Sequence, residues 1–180
     1  MSPVFVGVIC KMPIPKPLIK YLDQNKIKYE VVEHKTVFTA HDKAATLRVK
    51  PQIVGKTVAI VLDGKNYALG LIPANKNLDK KKVLASFNAQ RKKAGEKGYK
   101  KIDFAKEVWM KKTFEGIDIG ATPPFGAFYG LPFFIDNSLV KQVKIFINAG
   151  KYEFSFKISP ASLIKLNKEF LRGGFSVAKK

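Results

Sequence analysis

The tripeptide Gly55-Lys56-Thr57 is the first feature of this sequence whose residue types and spacing suggest chemistry. Gly-Lys-Thr ends the phosphate-binding P-loop, in which a glycine-rich turn opens a helix and wraps a nucleoside phosphate. The full pattern needs a glycine five residues before Gly55, and that position holds Lys50. The residues that follow, 57–62, form an apolar, β-branched run that is typical of a strand. We therefore exclude a P-loop and interpret Lys56 as a cation at the entrance of a strand.

The second feature is the loop Gly120-Ala121-Thr122-Pro123-Pro124-Phe125-Gly126. Prolines stiffen a loop and donate no backbone N–H, whereas glycines allow sharp bends and let a ligand approach the backbone closely. Such a loop can aim backbone amides at a carbonyl oxygen or an anion. It can equally be a rigid turn that closes a sheet, and the residues themselves leave both interpretations open.

Metal, disulfide and nucleophile sites have little support in this sequence. The chain has one cysteine, Cys10, and two histidines, His34 and His41, with no H-x-x-x-H pair. A zinc site would therefore need distant carboxylates. The G-x-S-x-G and G-x-G-x-x-G turns of hydrolases and dinucleotide-binding domains do not occur. We expect no metal and no cofactor, and we expect the histidines to act as hydrogen-bonding residues.

The charge of the chain indicates a polyanionic partner. Its 180 residues include 33 Lys+Arg and 14 Asp+Glu, which gives a formal net charge of +19. Positions 76–112 hold thirteen basic and four acidic residues, nearly half of the excess. Most of these are lysines, which meet phosphates as point charges and carry little base specificity. Nucleic acid is the favoured partner over a membrane, because the helix expected after Asp79 has too few bulky apolar residues for a lipid surface.

Length and composition are those of one folded domain. Apolar residues make up 46% of the chain and charged residues 26%, which excludes a disordered tail and a fibrous repeat. The first apolar run is too short to span a bilayer and lacks the charged start of a signal peptide, so we expect a cytoplasmic protein. Prolines at positions 3, 13, 15 and 17 predict an irregular N-terminal extension over residues 1–17. A single domain is expected over residues 18–180.

Sequence periodicity predicts the elements that would position Lys56 and the loop. Helices are predicted from Pro17 to about position 25, after the caps Thr39, Asp79 and Asp103, and from the cap Ser159 through Phe170, with Gly173 beyond its end. Strands are predicted over residues 29–34, 57–62, 66–72, 131–135, 143–147 and 152–156, with a hairpin turn at Asp63-Gly64. Because strands do not alternate with long helices, a doubly wound parallel sheet is excluded. We expect an α+β fold, a mixed sheet or incomplete barrel with helices outside.

Taken in order, these motifs resemble the YbaK/prolyl-tRNA-synthetase-associated family of trans-editing aminoacyl-tRNA deacylases. The likeness covers about residues 18–171, and the ordered combination is more specific than any one motif. The matching segments are Val32-Glu33-His34, Val54-Gly55-Lys56-Thr57-Val58, Tyr67-Ala68-Leu69, Ile72-Pro73-Ala74, Leu78-Asp79-Lys80-Lys81-Lys82-Val83, the loop at positions 120–126, Gly130-Leu131-Pro132, Ile135-Asp136 and Ile145-Phe146-Ile147-Asn148-Ala149-Gly150.

The resemblance implies a distorted mixed β-barrel flanked by helices. It also implies metal-independent hydrolysis of the ester that joins a wrong amino acid to tRNA. The implied catalytic residues are Lys56, acting on the terminal nucleotide's phosphate or hydroxyls, and Gly120. The implied substrate-binding residues are Thr57, Pro124, Phe125, Gly126, Asn148 and Gly150. The charge distribution adds tRNA-binding roles for Lys80, Lys81, Lys82, Arg91, Lys92 and Lys93.

This implied activity agrees with the residues available. An aminoacyl ester is already activated, so positioning and polarisation of its carbonyl can suffice where no general base is evident. Alanine or cysteine mischarged on proline tRNA is the family-level expectation, with prolyl-tRNA synthetase as a candidate partner. The alternatives are a non-catalytic tRNA- or synthetase-binding module and a basic architectural protein that shares only the fold. The presence of both Lys56 and the Gly120 loop favours the enzyme.

Overall fold

The computed structural model describes residues 13–179, in which the larger of two main sheets has five strands. Its strand order is β5-β2-β3-β6-β9. Strands β2 and β3 form the predicted antiparallel hairpin, whereas β6 and β9 join in parallel, so the sheet is mixed. Its strands are β2 (Gly55–Leu62), β3 (Asn66–Pro73), β5 (Ile102–Phe104), β6 (Phe133–Asp136) and β9 (Phe170–Gly173).

The smaller sheet has three antiparallel strands in the order β1-β8-β7. They are β1 (Tyr29–Glu33), β7 (Ile145–Asn148) and β8 (Phe154–Ile158). A single bridge between Val54 and Phe146 links the two sheets, and β4 (Lys76–Leu78) pairs separately with β10 (Ser176–Ala178). The α+β prediction is therefore confirmed. The described strands form separate sheets that meet at this bridge and do not close into a barrel.

Helices pack around the two sheets. The helices are α1 (Lys16–Gln24), α2 (Ala40–Leu47), α3 (Lys80–Lys93), α4 (Glu107–Thr113), α5 (Asn137–Val140) and α6 (Pro160–Leu166). Three predicted N-caps are confirmed, since the side chains of Thr39, Asp79 and Ser159 each accept a hydrogen bond from the backbone N–H three residues later, at 3.1 Å. Such caps satisfy N–H groups that the first helical turn leaves unpaired. No helix within residues 13–179 is long and apolar enough to cross a membrane.

Two predicted helix boundaries are wrong. Asp103 does not cap a helix, because residues 102–104 pair with the edge of β2 as strand β5, and α4 begins only at Glu107. The last helix ends at Leu166, and Phe170 to Gly173 instead form β9 beside β6. In both places long-range strand pairing takes residues that local periodicity assigned to a helix. Cys10 and the first twelve residues of the predicted extension lie outside the described residues.

Side chains alternate along the strands of the larger sheet, so each face of this sheet packs against a core of its own. Ala59, Leu69 and Leu71 face the smaller sheet and form the inner core with residues such as Ile147 and Phe156. Ile60, Leu62 and Ala68 face α3 and form the outer core. Because side chains alternate along a strand, odd positions of β2 face the inner core and even positions face α3. This alternation decides where the candidate site residues on β2 point.

Candidate active site

Two buried asparagines hold the loop at residues 120–126. Asn148 Nδ2 donates to the carbonyl oxygens of Gly120 and Thr122, both at 3.2 Å. Asn167 Nδ2 donates to the carbonyl oxygen of Pro124 at 3.1 Å. Both asparagines are almost fully buried, so neither side chain is free to exchange these partners for water. The loop is therefore fixed at its start and at its prolines.

The loop needs glycine at two positions for different reasons. Gly120 has a φ of +83°, in the left-handed region that a side chain disfavours. Gly126 has an ordinary φ, but a Cβ there would lie 2.7 Å from the carbonyl oxygen of Leu131. A third glycine, Gly150, donates its N–H to the carbonyl oxygen of Ala121 at 2.9 Å. These contacts bring four of the predicted substrate-binding positions, Pro124, Gly126, Asn148 and Gly150, to the loop or to its immediate supports.

The loop leaves two backbone amides without a hydrogen-bond acceptor among the described residues. Within residues 13–179, the N–H groups of Gly120 and Thr122 meet no acceptor, and Pro123 and Pro124 have no N–H to offer. The Phe125 N–H donates to the carbonyl oxygen of Pro123 at 2.9 Å, while its ring is fully buried in the inner core. Phe125 therefore anchors the loop. Gly120 is exposed and lines the pocket described below, so its N–H can bind a carbonyl oxygen, whereas Thr122 is 4% exposed.

A small pocket opens beside the loop, on the face of the smaller sheet that turns away from the inner core. Ile145 and Ile147 of β7 face that core, so Phe146 and Asn148 face helix α2 instead. Phe38, 68% exposed, lies at the pocket, with its ring 4.8 Å from that of Tyr152. The lining residues are Val37, Phe38, Thr39, Ala40, Lys43, Gly120, Ala121, Asn148, Lys151 and Tyr152.

Helix α2 contributes a buried lysine to this pocket. Lys43 is 3% exposed, and its Nζ donates to Asn148 Oδ1 at 2.5 Å. Among the described residues no carboxylate lies within ion-pair distance of it. Burial lowers the pKa of Lys43 to about 8, because a charged ammonium loses its hydration there. Sequence analysis missed this residue, since nothing in the pattern around Lys43 distinguishes it from the chain's many surface lysines.

A histidine and a serine extend the same polar row. His34 Nε2 lies 2.9 Å from Ser155 Oγ, and its Nδ1 lies 2.9 Å from the carbonyl oxygen of Lys35. A carbonyl can only accept, so Nδ1 carries the proton and neutral His34 accepts from the serine hydroxyl. Ser155 pairs with Asn148 across the two strands. Burial, chiefly, and the charge of Lys43 lower the pKa of His34.

Lys56 lies elsewhere, in a groove on the α3 side of the larger sheet. Its Nζ donates to the carbonyl oxygen of Lys76 at 2.9 Å. Burial, followed by the charge of Lys179, lowers its pKa. The other groove residues are Asn77, Leu78, Asp79, Lys80, Lys81, Phe104 and Val177, none of which lines the pocket beside Gly120. The structure therefore does not bring the two predicted catalytic residues into one cavity.

Thr57 points away from Lys56. As an odd position of β2 it faces the inner core, and its buried Oγ1 has no hydrogen-bond partner among the described residues. Thr57 is absent from the residues that line the pocket beside Gly120. Thr57, a predicted substrate-binding residue, therefore lies outside the candidate pocket.

The predicted tRNA-binding residues of α3 differ in how free they are. Lys81, Lys82, Lys92 and Lys93 are exposed. Lys80 lies 4.3 Å from the centre of the Phe104 ring and faces the groove of Lys56. Arg91 is already engaged, with a guanidinium nitrogen 2.8 Å from Glu96. The lysines can therefore neutralise phosphates more readily than Arg91 can.

Comparisons with known proteins identify the family of this chain and known structures that share its fold. The sequence model of the aminoacyl-tRNA editing domain matches residues 34–166. A structure described as a "putative trans-editing enzyme for prolyl tRNA synthetase" superposes with a TM-score of 0.70 and 19% identity, over 94% of this chain and 100% of that one. The hypothetical protein APE2540 superposes with a TM-score of 0.71 and 17% identity, over 89% of this chain and 99% of that one. A search of curated proteins found no match.

Proposed function

Because the chain belongs to the aminoacyl-tRNA editing domain family, we propose that it hydrolyses the ester of a mischarged tRNA in trans. The observation that carries this proposal is the rigid loop with a free N–H group at the exposed Gly120. Such an amide can polarise the aminoacyl carbonyl and stabilise the oxyanion that forms when it is attacked. We propose no metal or cofactor for this step.

The chemistry is addition of water followed by loss of the tRNA hydroxyl. Water adds to the carbonyl carbon, and the negative charge that develops on the carbonyl oxygen is held by the loop amide of Gly120. The bond from carbon to the ribose oxygen then breaks, and that oxygen takes up a proton. The products are a free amino acid and an uncharged tRNA. Rigid placement of the ester supplies much of the rate, because the reacting carbonyl is already activated.

We propose that Lys56 contributes to catalysis by holding the terminal nucleotide of the tRNA in its groove, and that the exposed lysines of α3 bind the tRNA body. Lys56 is half-buried and its Nζ is held by the carbonyl oxygen of Lys76, so its charge is fixed in place. A phosphate or hydroxyl of the terminal nucleotide bound there would be held in one position relative to β2. Exposed lysines such as Lys81 and Lys82 are less restrained and would add affinity along the tRNA body.

The narrower proposal concerns the substrate. The family resemblance favours alanine or cysteine on proline tRNA, with prolyl-tRNA synthetase as a partner and the cytoplasm as the place of action. The likeness to a structure described as trans-editing for that synthetase supports this choice of tRNA. These aminoacyl groups therefore head the panel of substrates to be tested.

Single-turnover deacylation of mischarged tRNAs tests the proposal. We expect hydrolysis of at least one substrate, and we expect Lys56→Ala to lower the rate at saturating tRNA about a hundredfold while affinity falls about tenfold or less. The matched control replaces Lys82, Lys92 and Lys93, which are exposed and lie outside the groove of Lys56, with alanine, and it should weaken binding more than it lowers the saturated rate. Binding without turnover of any substrate would favour the alternative of a non-catalytic tRNA-binding module. A near-normal saturated rate for Lys56→Ala would remove Lys56 from the catalytic assignment.

A further inference from the structure

We propose that Lys43 determines substrate specificity by selecting aminoacyl groups that carry a side-chain hydroxyl over aliphatic groups of similar size. Serine would be preferred to alanine, and threonine to valine, on the same tRNA, which differs from the alanine or cysteine that the family resemblance favours. This inference rests on the proposed function, since it concerns what the pocket beside Gly120 accepts.

The first observation is a buried ammonium with unused donors. An ammonium has three N–H groups, and within residues 13–179 the side chain of Lys43 has one hydrogen-bond partner, Asn148 Oδ1. Lys43 is nevertheless 3% exposed, so water satisfies the remaining donors poorly. A buried charge of this kind is costly unless it is paired. A substrate oxygen that reaches the pocket would supply the missing acceptor.

No neighbouring group supplies an anion to Lys43. Lys151 lies 3.3 Å from Asp118, whose other carboxylate oxygen accepts from the Tyr152 N–H. Glu153 accepts from Thr36 at 3.0 Å. His34 is occupied by Ser155 and is neutral when its Nε2 accepts that hydroxyl. Each of these groups therefore already has a partner, and none of them forms an ion pair with Lys43.

The second observation is the shared pocket. Lys43 lines the same cavity as Gly120 and Ala121, and this cavity of about 10 Å³ has room for little more than one oxygen atom. The hydroxyl of an aminoacyl side chain whose ester carbonyl is bound at Gly120 would fit there, beside the ammonium. Asn148 cannot replace Lys43 as the donor, because both hydrogens of its Nδ2 are directed at loop carbonyls. Its Oδ1 must face Lys43, which fixes the ammonium at the wall of the pocket.

The expected preference follows from the strength of the contact. A hydrogen bond to a charged group contributes enough to change a rate by roughly tenfold to a hundredfold. A pocket that depends on such a bond also disfavours a ligand that leaves the charged group unpaired. We therefore expect the wild-type protein to deacylate the seryl ester at least about tenfold faster than the alanyl ester.

The experiment compares single-turnover rates of seryl, alanyl, threonyl and valyl esters on one tRNA. We expect the serine-to-alanine and threonine-to-valine ratios to exceed about ten for the wild type and to fall toward one for Lys43→Met, which keeps the length of the side chain without its charge. Lys50→Met, the same change at an exposed lysine, is the matched control and should keep the wild-type ratios.

The outcomes separate this inference from the proposed function. Wild-type ratios near one, with turnover of any ester, would overturn the role of Lys43 and leave the deacylase intact. A uniform loss of rate in Lys43→Met with unchanged ratios would also overturn it, because Lys43 would then only support the loop. If Lys43→Met does not fold, the wild-type ratios decide. Failure to hydrolyse any ester would refute the deacylase itself, and with it the inference.

Discussion

Replacing Lys43 with methionine should change how the stability of the protein depends on pH. Burial lowers the pKa of Lys43 to about 8, from 10.5 in an unfolded chain. Below pH 8 the lysine is protonated in both states, so the cost of burying its charge is fully expressed. Between about pH 8 and pH 10.5 the unfolded chain binds a proton that the folded protein has released, so the free energy of unfolding rises with pH.

The size of this effect follows from the pKa difference. Relative to Lys43→Met, which cannot titrate, the wild-type free energy of unfolding should rise by up to about 3 kcal/mol across this window. The nearest other titrating group, His34, ionises below the window because its pKa is lowered. Burial raises the pKa of Tyr29 to about 12, and that of Tyr129 as well, but both tyrosines are present in both proteins and cancel in the difference.

Urea unfolding at several pH values between 6.5 and 10.5 measures this difference directly. The comparison needs wild type, Lys43→Met and the exposed control Lys50→Met. We expect the wild type to gain on Lys43→Met as pH rises, and the difference between wild type and Lys50→Met to stay flat. A difference between wild type and Lys43→Met that does not change with pH would refute the description of Lys43 as a buried, unpaired cation.

Three further predictions concern the loop and the basic surface. Asn148→Ala removes the partner of Lys43 and leaves two loop carbonyls without a donor, so urea unfolding should show that the free energy of unfolding falls by about 2–4 kcal/mol. A decrease below about 1 kcal/mol would contradict the role of Asn148 in holding the loop. Gly120→Ala forces a side chain into a positive φ at a cost of about 1–2 kcal/mol, and the deacylation rate should fall more than tRNA affinity does. Affinity for tRNA should fall steeply across a salt series, and a flat response would exclude contact between the lysines of α3 and phosphates.

Local signals predicted the parts of the fold that depend on neighbouring residues. The turn at Asp63-Gly64 and the caps Thr39, Asp79 and Ser159 all act within a few residues, and the structure confirms each of them. The strands that were missed, β4, β5, β9 and β10, are only three or four residues long and exist because a distant partner pairs with them. Sequence periodicity carries no information about such pairing.

The candidate site also combines residues that local sequence signals identified with residues whose role depends on distant contacts. The loop was found because its glycines and prolines are unusual in themselves, and its glycine at position 120 does have the positive φ that makes glycine necessary. Lys43 was not found because its role comes from Asn148, which lies 105 residues away in sequence. Its neighbour Ala44 is buried as well, so the buried face of α2 is too small to produce a strong helical pattern.

The start of β2 lies between the groove of Lys56 and the pocket beside Gly120. Val54 is fully buried, forms the bridge to Phe146, and packs in one cluster with Ala44 of α2. Two residues of the pocket lie next to that cluster in sequence. Lys43 directly precedes Ala44, and Asn148 follows Phe146 by two residues. Lys56, two residues after Val54, lies in the groove formed with residues 76–81. Because close-packed strands move little relative to one another, a nucleotide bound at Lys56, as proposed above, would lie at a fixed distance from the loop.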